Sequence, residues 1–177
     1  MLIDLTLELD LNIKDNLKLL GHFGTHFDVM NQVFPLDFTK RKAIIFDVSH
    51  IKDREIAIDD IDLDKAERDM FVGFCTKHIE EYEYGSEDYR HNHPQLSREL
   101  IDALLNKCIS MIGIDAPGIR RGVEHTPVDQ YCADNGVFVI ENLINLKEII
   151  DMEFIIHIYP MNLRGTTGLP CRVIAEL

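Results

Sequence analysis

The chain has no tryptophan and four cysteines, Cys75, Cys108, Cys132 and Cys171, none in C-x-x-C spacing. Thiols scattered in this way argue against a cysteine zinc site and a disulfide framework, and read as buried groups in a reducing cytoplasm. Cys75 in "GFCTKH" has the chemistry of a nucleophile, but an apolar run is where inert buried cysteine is common. Basic residues are scarce: 18 Lys and Arg stand against 31 Asp and Glu, a formal charge of −13. A surface that grips phosphate backbones needs a basic footprint, so nucleic acid is not an expected partner. No apolar run approaches the ~20 residues that span a bilayer, so no membrane partner is expected either. The opening "MLIDLTLELD" is acidic and alternating, which reads as a strand rather than a signal peptide and agrees with a cytoplasmic location. Internal repeats, low-complexity tracts and linkers are absent too. At 177 residues, 46% hydrophobic and 28% charged, the expectation is a single globular domain over 1–177.

What is present is an alternation of short apolar runs and a few helical patterns. In "MLIDLTLEL", Ile3, Leu5 and Leu7 face one way and Leu2, Asp4 and Thr6 the other. The runs at 42–49 and 70–76, "KAIIFDVS" and "MFVGFCT", read as buried strands. Between them "IAIDDIDLDKAERD" predicts a short acidic helix. "SRELIDALLNKC" predicts a helix over 97–108, capped by Ser97, with Leu100, Ile101, Leu104, Leu105 and Cys108 on one stripe. A strand "SMIGID" follows at 110–115. In "TPVDQYCADNG", Thr126 is the expected N-cap, Pro127 the first helical residue and Gly136 the stop. Strands at 137–142, 154–160 and 171–177 complete an α/β domain with many strands and few helices.

The segment "GHFGTHFDV" concentrates His22, His26 and Asp28 around Gly24. A helix would place the histidines together but turn Asp28 away. A straight strand would put residues four apart ~13 Å from each other, too far to share an ion at about 2 Å per bond. A chain bent at Gly24, which has no Cβ to resist, can bring all three side chains to one ion. On the residues alone, a metal site and two half-buried histidines in a loop remain open.

"HFGTHFDVMNQ" resembles the H-x-G-T-H-x-D-x-P-x-H signature of the cyclase-like metal hydrolases, the family of bacterial kynurenine formamidase and isatin hydrolase. "MLIDLTLEL" is similar to that family's opening strand, "MIGIDAPGI" to its central turn, and "GVFVIENLINL" to its later glutamate-bearing strand. "YPMNLRGTTGLPCRVIAEL" resembles its closing segment. The resemblance implies an α/β fold with a mixed-strand, barrel-like core and flanking helices, of the swivelling β/β/α type. It implies His22, His26 and Asp28 as ligands of a divalent metal, Zn or Mn, and a metal-dependent hydrolase of a small-molecule amide (a formamide or a cyclic amide). Two imidazoles and one carboxylate leave coordination positions open, as catalysis requires. Relatives form dimers or larger assemblies, so a homodimer or higher homo-oligomer is expected.

The chain also departs from the pattern. Met30 replaces the signature's proline, and Gln32 its last histidine, where an amide is a weak ligand and no base. Gln32 is therefore expected beside the site, touching substrate. Family members carry a histidine about twelve residues before the strand glutamate; here that position is Asp129, and His125 lies four further upstream. Of the groups that hold a second ion in such members, only Glu141 has a counterpart. Glu141 ends an apolar strand, where a charge needs a partner or a purpose. It is the expected base, with Asp129 as its helper, although an acid three residues after Thr126 also suits a helix start. A catalytically impaired binding protein of the same fold is the alternative. His125 reads as an exposed residue before a helix, His91 and His93 in "YRHNHPQ" as solvated, and His157 as facing a polar layer or a neighbour. The run "IEEYEYGSEDY" reads as a solvated loop. A shortened loop before Gly21 and the missing indole keep the substrate of kynurenine formamidase from being carried over.

Overall fold

The computed structural model describes residues 1–7 and 21–177, so the last residues of the expected first strand, and the loop after it, lie outside the described residues. Among the described residues eight strands form one sheet: β1 (Leu2–Asp4), β2 (His26–Asp28), β3 (Lys40–Asp47), β4 (Phe71–Cys75), β5 (Met111–Ile114), β6 (Phe138–Glu141), β7 (Phe154–Pro160) and β8 (Gly168–Glu176). Their order is β1-β8-β2-β6-β5-β4-β3-β7, and a further pairing of β7 with β8 closes all but β1 into a barrel. The strands β3, β4, β5 and β6 are parallel to one another, while β2 with β6 and β8, β7 with β3 and β8, and β1 with β8 pair antiparallel. This is the mixed barrel with flanking helices that the resemblance implied.

The parallel strands are apolar on both faces because both faces are covered. Ala43, Ile45, Phe71, Phe138 and Ile140 pack with Phe27 and Ile156 in the barrel interior. The alternate residues Ile44, Phe46, Val72, Phe74 and Val139 pack outward against a second core. That core is closed by helix α3 (Arg98–Asn106) and helix α4 (His125–Asp134), which follow the short helices α1 (His78–Glu81) and α2 (Glu87–His91). Leu100, Ile101 and Leu104 of α3 are fully buried, each contributing roughly 1.5–3 kcal/mol of transfer free energy. The Ser97 side chain accepts from the Leu100 amide, as the capping pattern predicted.

Three sequence expectations need correction. The segment "IAIDDIDLDKAERD" forms two 3-10 turns, Ile58–Asp60 and Leu63–Lys65, rather than an α-helix. Its aspartates take local amides instead: Asp60 accepts from Ala57 N, and Asp62 from Asp64 N. Helix α4 begins at His125, so Thr126 and Pro127 lie inside its first turn and no side chain caps it. The acidic run 79–89 is not a simple solvated loop, since it contributes to α1 and α2 and buries Tyr89.

Candidate metal and catalytic site

The site forms where β2 meets β6. These strands pair antiparallel with His26 opposite Glu141, and Asp28 lies on the same face of β2 as His26. Before β2 the chain bends at Gly24, whose φ of +60° an L-residue resists, and this brings His22 back over the strand. His22 Nδ1 lies 3.1 Å from His26 Nε2 and 3.0 Å from Asp28 Oδ1, and His26 Nε2 lies 3.3 Å from Asp28 Oδ1. The bend is pinned from several sides. The Gly24 amide donates to the Tyr84 hydroxyl, while its carbonyl accepts from Asn142 Nδ2 and from the His26 Nδ1 side of the ring. Tyr89 in turn donates its hydroxyl to Asn142 Oδ1 at 2.6 Å. His22 Nε2 is held by Thr167 Oγ1 at 2.8 Å. Each imidazole thus has one nitrogen occupied and the other turned to Asp28.

The second half of the site comes from α4 and β6. His125 Nε2 lies 2.9 Å from Glu141 Oε1 and 3.1 Å from Asp129 Oδ2, and Glu141 Oε2 reaches to 3.5 Å from His26 Nε2. Metal-capable atoms of Asp28, His125, Asp129 and Glu141 all lie within 4.8 Å of one another, so Asp28 belongs to both halves. A cavity of about 450 Å³ opens on this cluster, lined by His22, His26, His125, Asp129 and Glu141 among others.

Charge balance explains the protonation of these groups. Burial alone would push His26 down, but Asp28 prevails and raises it to about 9. Burial would raise Asp28, yet the flanking His26 and His22 hold it well below the ordinary carboxylate range. Asp129 is raised to about 7 by burial, with Asp28 and Glu141 adding like-charge repulsion against the pull of His125. His125 overcomes its own burial because Glu141 and Asp129 both draw a proton to it, raising it to about 12.

The donor set suits a divalent cation. Asp28 Oδ2 and Asp129 Oδ1 are buried with no hydrogen-bond partner among the described residues, and Asp28 Oδ1 meets only the two imidazoles. A buried carboxylate oxygen without a donor costs about 1–3 kcal/mol or more, which a cation would offset. Atoms ~2.0–2.2 Å from a common centre stand roughly 3.3–3.6 Å apart in a tetrahedral arrangement. The 3.0–3.3 Å spacing of the His22, His26 and Asp28 atoms is close to that.

The structure thus brings together His22, His26, Asp28, Asp129 and Glu141, but not Gln32. After β2, Met30 adopts φ +54° and the Gln32 amide donates back to the Val29 carbonyl, closing a turn that leads away from the cavity. Gln32 is exposed, donates to Asn31 Oδ1, and lines a separate groove with Tyr159 and Leu163. His125, read from sequence as an exposed residue, is the group that sequence reasoning missed. Its signal was the four-residue spacing to Asp129, one helical turn, which keeps both on one face. The other histidines lie elsewhere. His91 is exposed, His93 is buried rather than solvated, and half-buried His157 meets Glu176 at 2.7 Å. Cys75 is buried, which pushes its thiol up to about 12 and leaves it inert as a nucleophile near neutral pH.

Comparison with known proteins points in one direction. The Cyclase family model, described as "Putative cyclase", matches residues 3–121. No curated protein matches the sequence. A solved structure described as a potential metal-dependent hydrolase with cyclase activity is 25% identical, with a TM-score of 0.79 over 99% of this chain and 96% of the other. A predicted metal-dependent hydrolase from Bacillus stearothermophilus is 24% identical, with a TM-score of 0.77 over 99% and 97%. Isatin hydrolase A from Labrenzia aggregata, at 18% identity, shares the fold with a TM-score of 0.81 over 99% and 93%.

Proposed function

Because the chain belongs to the Cyclase family, we propose that it is a metal-dependent hydrolase that cleaves the C–N bond of a small formamide or cyclic amide. One observation carries this reading: His22 Nδ1, His26 Nε2 and Asp28 Oδ1 converge to within 3.0–3.3 Å around a buried carboxylate that has no other donor. These three residues would hold the ion, zinc or manganese. A divalent ion bound there polarises a carbonyl and lowers the pKa of water from 15.7 to about 7.

The surrounding residues do the rest. The Gly24 carbonyl and Thr167 hydroxyl fix the two imidazoles, so their free nitrogens need no reorganisation. Glu141 lines the cavity and reaches towards His26, where its carboxylate accepts the proton of the attacking water. Water oxygen adds to the carbonyl carbon, the C–N bond breaks, and the proton passes from Glu141 to the departing nitrogen. His125, held between Asp129 and Glu141, fixes the position of the Glu141 carboxylate. Asp129, raised to about 7, is the helper that exchanges protons near neutral pH.

The experiment is elemental analysis of protein purified without chelator, with turnover measured on a panel of N-formyl and cyclic amides. One or more equivalents of zinc or manganese with turnover is the expected result. Metal without turnover on any amide supports the binding protein instead, a reading favoured by one observation: Gln32 points away, so nothing replaces the signature's last histidine.

A further inference from the structure

Among the described residues the cavity lining contains a single Lys or Arg, Arg90, set opposite a cluster with an excess of carboxylates. Among the described residues its guanidinium has no ion pair, hydrogen bond or ring partner. Arg41, Arg54, Arg120 and Arg172 each pair with a carboxylate. The acids nearest Arg90 on α2 are engaged elsewhere: Glu87 meets His91, and Asp88 accepts from Asn92. Arg90 is nonetheless well placed. Its neighbour Tyr89 is anchored to Asn142, which fixes α2 against the site. Its Nη2 lies over Gly85, 3.8 Å from where a Cβ would stand, and Gly85 lines the cavity as well.

Arg90 is exposed to solvent at the cavity, and among the described lining residues it supplies the one guanidinium or ammonium group in a chain of net charge −13, whose bulk field repels anions. We infer that Arg90 binds a carboxylate on the substrate, so that the amide hydrolysed is a carboxylate-bearing one. Arg presents a planar fork that matches a carboxylate with two parallel hydrogen bonds. The reacting carbonyl then lies at the His22–Asp28 end and the anionic group at the α2 end. This rests on the hydrolase reading for the chemistry but not for the binding.

The test uses a matched pair, N-formylphenylalanine and N-formylphenethylamine, which differ by the carboxylate. Binding is measured by calorimetry on the metal-containing protein, and turnover on the same samples. The parent should bind and process the acid about tenfold better, the order of a charge-assisted hydrogen bond. Arg90→Gln should erase that preference through KM, leaving kcat and the neutral compound unchanged, and Arg90→Lys should restore part of it. No acid preference in the parent, or one that survives Arg90→Gln, overturns the inference. Preferential binding lost in Arg90→Gln with no turnover of either compound upholds Arg90 and overturns the hydrolase reading alone.

Discussion

Buried histidines occur in two regions of this molecule, and they behave in opposite ways. In the site, His26 and His125 face carboxylates, and both are raised well above the ordinary imidazole value. In the wall formed by α1, α2 and the following loop, His78 and His93 sit 6.0 Å apart, ring to ring. Their partners are backbone carbonyls, of Tyr89 for His78 and Pro94 for His93. A carbonyl satisfies one N–H without supplying a countercharge, so burial wins there: His78 is lowered, and His93 falls to about 3. His26 is as buried as His78 and His93, while His125 is half-buried, and at equal burial the partner decides. Carboxylates make a pair that draws cations, whereas carbonyls make a neutral packing element.

Four changes would break or sharpen that contrast. The largest effect is expected at His26→Ala, which removes one of the three converging atoms. Metal content by elemental analysis should fall to background with the circular dichroism spectrum kept, and full retention of metal would break the site half of the comparison. Next is Glu141→Gln, which keeps shape and removes the base. The rate should drop by about 10²–10⁴-fold with metal still bound. A rate equal to the parent's would move the proton chemistry to Asp129 or to the substrate.

A smaller effect is expected at Gly118→Ala. Gly118 has φ +130°, and a Cβ there would stand 3.1 Å from His125 Nε2 and 3.0 Å from the Arg120 carbonyl. Backbone strain of this kind costs about 1–3 kcal/mol, readable as a lower denaturation midpoint, and His125 should be displaced from Glu141. An unchanged midpoint and pH–rate profile would mean that the loop yields freely.

The smallest effect is a pair of opposed pH slopes in metal-free protein. His26 is raised from 6.5 to about 9, so its share of stability is full below 6.5 and lost as pH rises towards 9. His93 is lowered from 6.5 to about 3, so its share is present above 6.5 and lost as pH falls through that window. His93→Asn keeps a donor near the Nδ1 position and should flatten only the acid limb of the thermal-midpoint curve. Flattening of the alkaline limb instead would reverse the assignment.

In the part of the site formed by residues 22–28, local spacing showed that one bend in the chain could gather the three side chains, but the choice of a metal site over a loop with two histidines came from the resemblance. Glu141 stood out as a charge at the end of an apolar strand. His125 was hidden for a different reason: its partner on the adjacent strand β6 is sixteen residues away, and the helix that carries it starts without a capping side chain. The family match also stops at residue 121, before α4 and β6. The buried strands were readable from their apolar runs and the α3 helix from its stripe and cap. The segment 56–69 was not, because its aspartates prefer nearby amides to a helix. Barrel closure, through β7 pairing with both β3 and β8, was a matter of resemblance and not of pattern.

The pairing of β2 with β6 has a consequence for insertions and deletions. His26 stands opposite Glu141 and Asp28 opposite Val139, on a strand of three residues. Side chains alternate with a period of two, so one residue gained or lost between 26 and 28 would turn either His26 or Asp28 into the barrel wall while its neighbour Phe27 entered the cavity. The same edit in β6 would exchange Glu141 for Ile140. Length in these two strands is therefore as little negotiable as the identity of His26, Asp28 and Glu141, and a library that varies length should retain metal only when it spares them.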